Sequence, residues 1–291
     1  MTYSIIIPAY NNEKIIKKTL EAVIDNTPKD VEIIVVDDGS TDRTAEISTN
    51  FLLLNKKGVV IPSDHQGPSR VRNIGWKASK GDIVIFLDSD CIPTKNWFEE
   101  MIKPFIWKDV VAVQGAYINA NPDNIISEYE QLQIDLRQGN KVRNIDNFAT
   151  YSLAIKRECL EKTGGFDESF KTSSAEDTLL SYKVSELGEI IHNPFAKVKH
   201  YHKDSLFSYL KTQFTHGKNR VLMYKKLKFK KVGDKYSGAR ILIQPFFALF
   251  SLLVVYHIIF HPESILPRSS HGPSPNNIFK IISTHHQISA L

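Results

Sequence analysis

Asp88 and Asp90 stand one residue apart in GDIVIFLDSDCIP, the stretch from Gly81 to Pro93. Ile83 to Leu87, just ahead of them, is an unbroken apolar run rich in β-branched residues, which predicts a strand buried on both faces. Two carboxylates at the end of such a strand are costly unless a cation meets them. Hard divalent ions such as Mg²⁺ or Mn²⁺ take carboxylate oxygens and commonly take substrate phosphates as well. Taken alone, Asp-x-Asp reads first as a solvated turn, since Asp and Ser are ordinary turn residues. Other polar clusters share the pattern. Pro8-Ala9-Tyr10 follows SIII, and Asp37-Asp38 follows VEIIVV. Glu176 and Asp177 open a helical stretch, where the helix dipole favours acidic residues in any case. His200 and His202 are spaced to share one face of a strand, a candidate ligand pair.

The elements that must position these groups alternate. Strands are expected over Ser4 to Pro8, Val31 to Val36, Gly58 to Ile61 and Ile83 to Leu87. Helices are expected over Glu13 to Ile24, with Asn11 or Asn12 placed to cap it, and from Thr41 or Asp42 onward. A third is expected over Gly67 to Ser79, with Val71, Ile74, Gly75 and Ala78 on one face and Arg70 and Arg72 elsewhere. Strand-helix alternation predicts an open, mostly parallel sheet with right-handed crossovers. Ligands bind beyond the carboxyl ends of such strands, and three of the polar clusters lie at those ends. Further on, Trp97 to Trp107 and Ile125 to Gln138 read as helices, and Val110 to Gly115 and Ala149 to Ile155 as strands. A helix over Leu179 to Leu187 and a strand over Ile190 to Val198 complete the series. The glycine fingerprint of a dinucleotide site is absent after the first strand, where Tyr10-Asn11-Asn12 stands instead, and there is no Walker A sequence.

Length and composition fit a globular chain of one large or two smaller domains: 291 residues, 42% hydrophobic and 24% charged. Cys91 and Cys159 make no disulfide framework, which suits a reducing compartment. Met1 leads straight into a strand-like run without a basic leader, so no signal peptide is expected. The net charge of +5 hides an asymmetry. Ten basic residues against Asp234 alone give the window from Lys211 to Arg240 a charge of +9, leaving −4 elsewhere. A basic run can face nucleic acid or anionic lipid. Here it precedes Ile241 to Phe260, twenty residues without an Asp, Glu, Lys or Arg, long enough to cross a bilayer. That order is the positive-inside pattern, predicting a membrane protein with its N-terminal body on the cytoplasmic side and no nucleic-acid partner. A buried core helix is the competing reading of the apolar run.

Together, SIIIPAYNNE, VVDDGSTDRT, GPSRVRNIGWKASKGDIVIFLDSDC and GGFDESF followed by AEDT resemble, in this order, the family 2 glycosyltransferases. The resemblance covers Thr2 to Arg220. It implies an α/β, GT-A type nucleotide-diphospho-sugar transferase fold, a mostly parallel central sheet flanked by helices, here with a C-terminal hydrophobic helix. It implies that Pro8, Ala9 and Tyr10 line the base pocket, and that Asp38 accepts a hydrogen bond from the base. Asp88 would hold the ribose, and Asp90 the Mg²⁺ or Mn²⁺ that bridges the diphosphate. Arg72 and Asn73 match the Arg-Asn pair near the nucleotide, with Arg72 alternatively bracing the Asp38 loop. Glu176 belongs with the donor-binding set, Asp177 is the general base, and His200 approaches the metal or the diphosphate, with His202 the weaker candidate. One base opposite a departing diphosphate gives a single displacement with inversion.

The chain departs from the processive synthases of the family, in which Gln-x-x-Arg-Trp follows the Glu-Asp pair. Here Gln213 is followed by Phe-Thr-His, which predicts addition of one sugar. The organisation expected is a catalytic domain over 1–220, a basic juxtamembrane segment over 221–240, a transmembrane helix over 241–260 and a poorly ordered tail over 261–291. The function expected is a membrane-attached, inverting, metal-dependent hexosyltransferase, using a nucleotide-diphosphate sugar and a saccharide or lipid-linked acceptor. Its rivals are a sugar-phosphate nucleotidyltransferase, whose glycine-rich basic loop is missing, and an inactive membrane scaffold of the same fold.

Overall fold

Strand β1 (Tyr3–Ala9) sets the layering. Successive side chains of a strand point to opposite faces, so an apolar run without alternation must be covered on both. Ile5, Ile7 and Ala9 enter one core cluster and Ile6 the other. The same division holds in β2 (Glu32–Asp37), with Ile33 and Val35 against Ile34 and Val36. It recurs in β4 (Ile83–Leu87), with Ile85 and Leu87 against Val84 and Phe86. Each such side chain contributes about 1.5–3 kcal/mol on burial. Helices α1 (Ile16–Asp25) and α2 (Thr44–Leu54) supply Ile16, Leu20, Val23 and Leu52 to the first cluster, and α3 (Pro68–Ala78) supplies Val71 and Trp76 to the second.

The structure, a computed structural model, describes residues 1–170 and 175–227. The sheet runs in the order β3-β2-β1-β4-β8-β6-β9-β5, with β7 paired to β9. Here β3 is Val59–Pro62, β5 Cys91–Pro93, β6 Val110–Asn119, β7 Arg143–Ile145, β8 Ser152–Lys156 and β9 Glu189–His200. The run from β3 to β4 is parallel throughout, as the alternating sequence predicts. Its order reverses between β1 and β4, the switch point at which α/β sheets open a crevice beyond their carboxyl ends. Beyond β4 the sheet is mixed: β8 is antiparallel to β4 and β6, while β9 is parallel to β6. β5, too short to show as a strand in the sequence, pairs antiparallel with β9 and sets Cys91 opposite His200.

The remaining helices are α4 (Trp97–Ile102), continued by a 3₁₀ turn at Lys103–Ile106, then α5 (Ile125–Gln138), α6 (Arg157–Thr163), α7 (Glu176–Val184) and α8 (Leu206–Lys226). Several local expectations are corrected. Helix α1 starts at Ile16, three residues late, and neither Asn11 nor Asn12 caps it with a side chain. The Asn12 carbonyl accepts from the Ile15 and Ile16 N–H groups, while its side chain reaches away to Ser89. Arg72 lies on the buried face of α3 and Ala78 is exposed. The boundary placed at residue 220 falls inside α8, whose Met223 and Tyr224 pack with Phe170, Ala175, Leu179 and Tyr182. The folded body therefore takes in the start of the basic run.

The chain falls into two compact units, Met1–Gly238 and Ala239–Leu291, the latter wholly outside the described residues. The expected span over 241–260 and the tail over 261–291 lie outside them too. Among the described residues, no helix is long and apolar enough to cross a membrane.

Candidate active site

The carboxyl ends of β1 and β2 are in register, Ala9 opposite Asp37, and the Asp38 N–H donates to the Ala9 carbonyl at 2.8 Å. The loops that follow are stitched together. The Thr41 N–H donates to Asn11 Oδ1 at 2.8 Å and the Asn12 N–H to Thr44 Oγ1 at 2.6 Å. Tyr10 is 45% exposed, and its ring lies over His65 with centroids 4.3 Å apart. No local pattern in the sequence marked His65. It reaches this place through the loop after β3, with its backbone in the left-handed region.

Asp38 is buried, and both carboxylate oxygens are engaged, accepting the Gln66 N–H at 2.8 Å and the Gly67 N–H at 3.0 Å. It thus fixes the loop entering α3, while Arg72, expected as the alternative to brace the Asp38 loop, pairs with Asp88 and Glu176. Gly67 has φ +91°, where a side chain would be strained.

The Asp88-Ser89-Asp90 turn is held from its middle. The Ser89 carbonyl accepts from Thr19 Oγ1 at 2.9 Å and its Oγ from Asn12 Nδ2 at 2.9 Å. The flanking carboxylates meet cationic or basic partners. Arg72 Nη2 donates to Asp88 Oδ1 at 3.1 Å, and Arg72 Nη1 donates to Glu176 Oε1 at 3.1 Å. The Arg72 side chain is 3% exposed and that of Glu176 fully buried. Glu176 Oε2 also accepts the Ala175 N–H, so this residue supports the site from beneath. Burial, with help from the charge of Asp90, raises the Asp88 pKa against the pull of Arg72. Asn73 clamps the Gly-Gly-Phe-Asp loop. Its Oδ1 accepts the Phe166 N–H at 3.0 Å, and its Nδ2 donates to the Phe166 carbonyl and Glu168, each at 2.9 Å.

Asp90 Oδ2 lies 3.5 Å from His200 Nε2, with the carboxylate 41% and the imidazole 19% exposed. Burial would raise the Asp90 pKa, but His200 outweighs it and holds the carboxyl below its ordinary value. His202 is buried behind His200. Its Nδ1 lies 3.2 Å from His200 Nδ1 and its Nε2 lies 2.8 Å from Gln131 Oε1. Burial and the neighbouring His200 push its pKa down to about 4. Of the two histidines, only His200 presents a nitrogen to Asp90. Among the described residues no three His, Cys, Asp or Glu side chains form a metal cluster. Two ligands suffice where substrate phosphates and water complete the shell of a hard ion. The 3.5 Å separation suits ligands sharing one such ion, because bonds near 2.1 Å place neighbouring ligands about 3 Å apart. The residues present therefore fit an Mg²⁺ or Mn²⁺ site.

Asp177 stands in the first turn of α7 and its Oδ1 accepts the Thr178 N–H at 2.6 Å. Burial, reinforced by the charge of Glu176, pushes its pKa up to about 7, against the opposing pull of Arg72 and Arg220. Helix α8 also reaches the loop before α7. Lys226 Nζ donates to Asp167 Oδ2 at 2.7 Å and to Ser169 Oγ, and it covers the Phe170 ring.

Residues 4–164 match the family model described as Glycosyl transferase family 2. The chain belongs to that family. As a family 2 glycosyltransferase it is 28% identical over 215 residues to glycosyltransferase AglE of Haloferax volcanii, covering 66% of this chain and 70% of AglE. It spans 15% to 63% of the length of other curated glycosyltransferases that it matches. The mannosyltransferase PcManGT from Pyrobaculum calidifontis, solved with GDP-Man and Mn²⁺, superposes with a TM-score of 0.67 at 17% identity, over 99% of this chain and 80% of that one. S. aureus TarS in complex with UDP-GlcNAc gives a TM-score of 0.56 at 21% identity, over 70% of this chain and 60% of that one. At these identities the two structures establish the shared GT-A fold.

Proposed function

We propose that this glycosyltransferase moves one sugar from a nucleotide-diphosphate donor to an acceptor hydroxyl, with inversion and with help from Mg²⁺ or Mn²⁺. The observation that carries the proposal is Asp90 Oδ2 facing His200 Nε2 at 3.5 Å, beside the crevice where β1 and β4 diverge. Pro8, Ala9 and Tyr10 would line the base pocket, the Tyr10 ring lying against the heterocycle. Asp38 and Asp88 would meet the base and ribose, with Arg72 and Glu176 holding Asp88 in place. Asp90 and His200 would hold the ion with the donor diphosphate. When bound, the cation supplies Lewis-acid stabilisation of the charge gathering on the leaving group.

The acceptor oxygen attacks the anomeric carbon as its bond to the diphosphate breaks, and that electron pair leaves with the diphosphate. The acceptor proton passes to the carboxylate of Asp177. Its raised pKa suits a base that must take a proton near neutral pH. GDP-Man and UDP-GlcNAc in the related structures support a nucleotide-diphosphate hexose as the donor class. The basic run and the apolar stretch over 241–260 support a membrane-attached protein with its active site on the cytoplasmic side and a lipid-linked saccharide as acceptor.

The test is a panel of nucleotide sugars, read as nucleoside diphosphate released with and without membrane lipid extract. The proposal expects one donor class to be consumed, release to stop with EDTA, and Asp90→Ala to be inactive. Turnover that ignores EDTA, or release of pyrophosphate, would overturn it.

A further inference from the structure

We propose that Gln131 and His202 are positioning residues that fix the tautomer of His200, so that its Nε2 presents a lone pair to a divalent cation shared with Asp90. The inference rests on the reading of Asp90 and His200 as metal ligands.

The argument begins at Gln131, on α5. An amide side chain can be placed either way round unless its partners decide. Here they do. One end of the Gln131 amide lies 2.7 Å from Asp135 Oδ1 and 3.4 Å from the Tyr117 carbonyl. Both are acceptors, so that end is the NH₂ group. The other end, Oε1, is an acceptor 2.8 Å from His202 Nε2, which must therefore carry a proton. A neutral imidazole has one N–H, so the buried ring of His202 is left with a bare Nδ1. That bare nitrogen lies 3.2 Å from His200 Nδ1, which must supply the proton of the contact. Glu130 Oε2, 3.9 Å from the same His202 nitrogen, is beyond hydrogen-bond distance.

With its own proton placed on Nδ1, neutral His200 has its lone pair on Nε2, the atom 3.5 Å from Asp90 Oδ2. Two acceptors that face each other at that distance call for a cation between them. A proton can serve in the metal-free chain, and a divalent ion takes its place. The direction of the relay thus runs from the Asp135 carboxylate and the Tyr117 carbonyl, through Gln131 and His202, to a ligand nitrogen. The Tyr117 ring also lies beside that of His200, with centroids 4.8 Å apart, limiting its rotation. Metal-bound histidines commonly depend on a partner at the other ring nitrogen in this way. Here the partner is a second histidine whose own tautomer is set one step further back.

The test uses the full chain in detergent and Mn²⁺ alone, followed by electron paramagnetic resonance titration. Gln131→Leu and His202→Phe should each weaken Mn²⁺ binding about 10–100-fold. His202→Asn should retain most of the affinity, because its Oδ1 still accepts from His200 Nδ1. Nitrogen-15 spectra of labelled histidine in the unsubstituted protein should show His202 protonated at Nε2 and bare at Nδ1, a readout that does not depend on any variant folding. Asp90→Ala separates the two levels of the argument. If it binds Mn²⁺ as well as the parent does, or if the parent binds Mn²⁺ neither alone nor with UDP or GDP added, the metal reading itself fails. If Asp90→Ala loses binding while Gln131→Leu and His202→Phe keep it, or if His202 is protonated at Nδ1 instead, the relay is overturned and the metal site stands.

Discussion

The guanidinium of Arg72 donates to Glu176 at 3.1 Å, and both side chains are buried. The pair joins α3 to the first turn of α7. The same Arg72 holds Asp88 at the end of β4, so one cation ties the end of a core strand to the neighbour of the proposed base. Removing one partner of a buried ion pair leaves an uncompensated charge, typically at ~3–5 kcal/mol. Arg72→Met should therefore lower stability by about that much in urea unfolding followed by tryptophan fluorescence. Arg72→Met with Glu176→Met should lose less than the two single losses combined. Strict additivity would show that the two side chains are not energetically joined.

Asp177 carries a pH signature. Its pKa in the folded chain, about 7, lies above its ordinary value of 3.8. The folded state therefore holds this proton more tightly than the unfolded chain does. The resulting stabilisation is complete below 3.8 and is lost as pH rises through about 7. Activity moves the opposite way, since a base must be ionised. The rate should rise with pH through about 7 and level off above it. Asp177→Asn should remove that rising limb, reduce the rate ~10²–10⁴-fold and leave donor binding nearly unchanged. Equal losses of rate and donor affinity would make Asp177 a binding residue instead.

Gly75 tests the packing of α3 on the parallel strands. A Cβ there would collide with Ile6 Cγ2 and lie 3.2 Å from Val36 Cγ2. At an exposed helix position Gly→Ala gains about 1 kcal/mol. Here overpacking, typically costing about 1–3 kcal/mol, should win. Gly75→Ala is expected to lower the melting temperature, with Ile6→Ala in the same chain relieving part of the clash. A rise in melting temperature for Gly75→Ala would show that α3 can lift from the sheet freely.

The membrane proposal separates by salt. Polybasic segments gain roughly 1 kcal/mol per basic residue near an anionic leaflet, a term that salt screens. A spanning helix is an effectively irreversible anchor. The full chain should stay with membranes in high salt and at alkaline pH, and leave only in detergent. A chain ending at Gly238, the limit of the first compact unit, should become salt-extractable and keep some donor hydrolysis. Release of the full chain by salt alone would remove the main support for a lipid-linked acceptor.

The sequence by itself determined the parallel half of the fold and set several polar residues at its carboxyl edge. Strand side chains alternate between faces, so the unbroken apolar runs in SIII, EIIVV and IVIFL must be covered on both, and a strand between helical layers satisfies that. The polar residues at their ends then fall at one edge without any knowledge of the rest. Tertiary structure decided what those residues face. Asp90 and His200 meet because the three-residue β5 pairs with β9, a contact with no local signal. Arg72 shows the limit most plainly. Helical spacing set it apart from the apolar face of α3, yet its charge is matched by Asp88 and Glu176, which arrive from β4 and α7. A buried charge is tolerated only when distant segments supply its partners, and Gln131 and His65 acquire their places in the same way. Such partners are fixed by the packing of the whole domain, and the chain around each residue carries no mark of them.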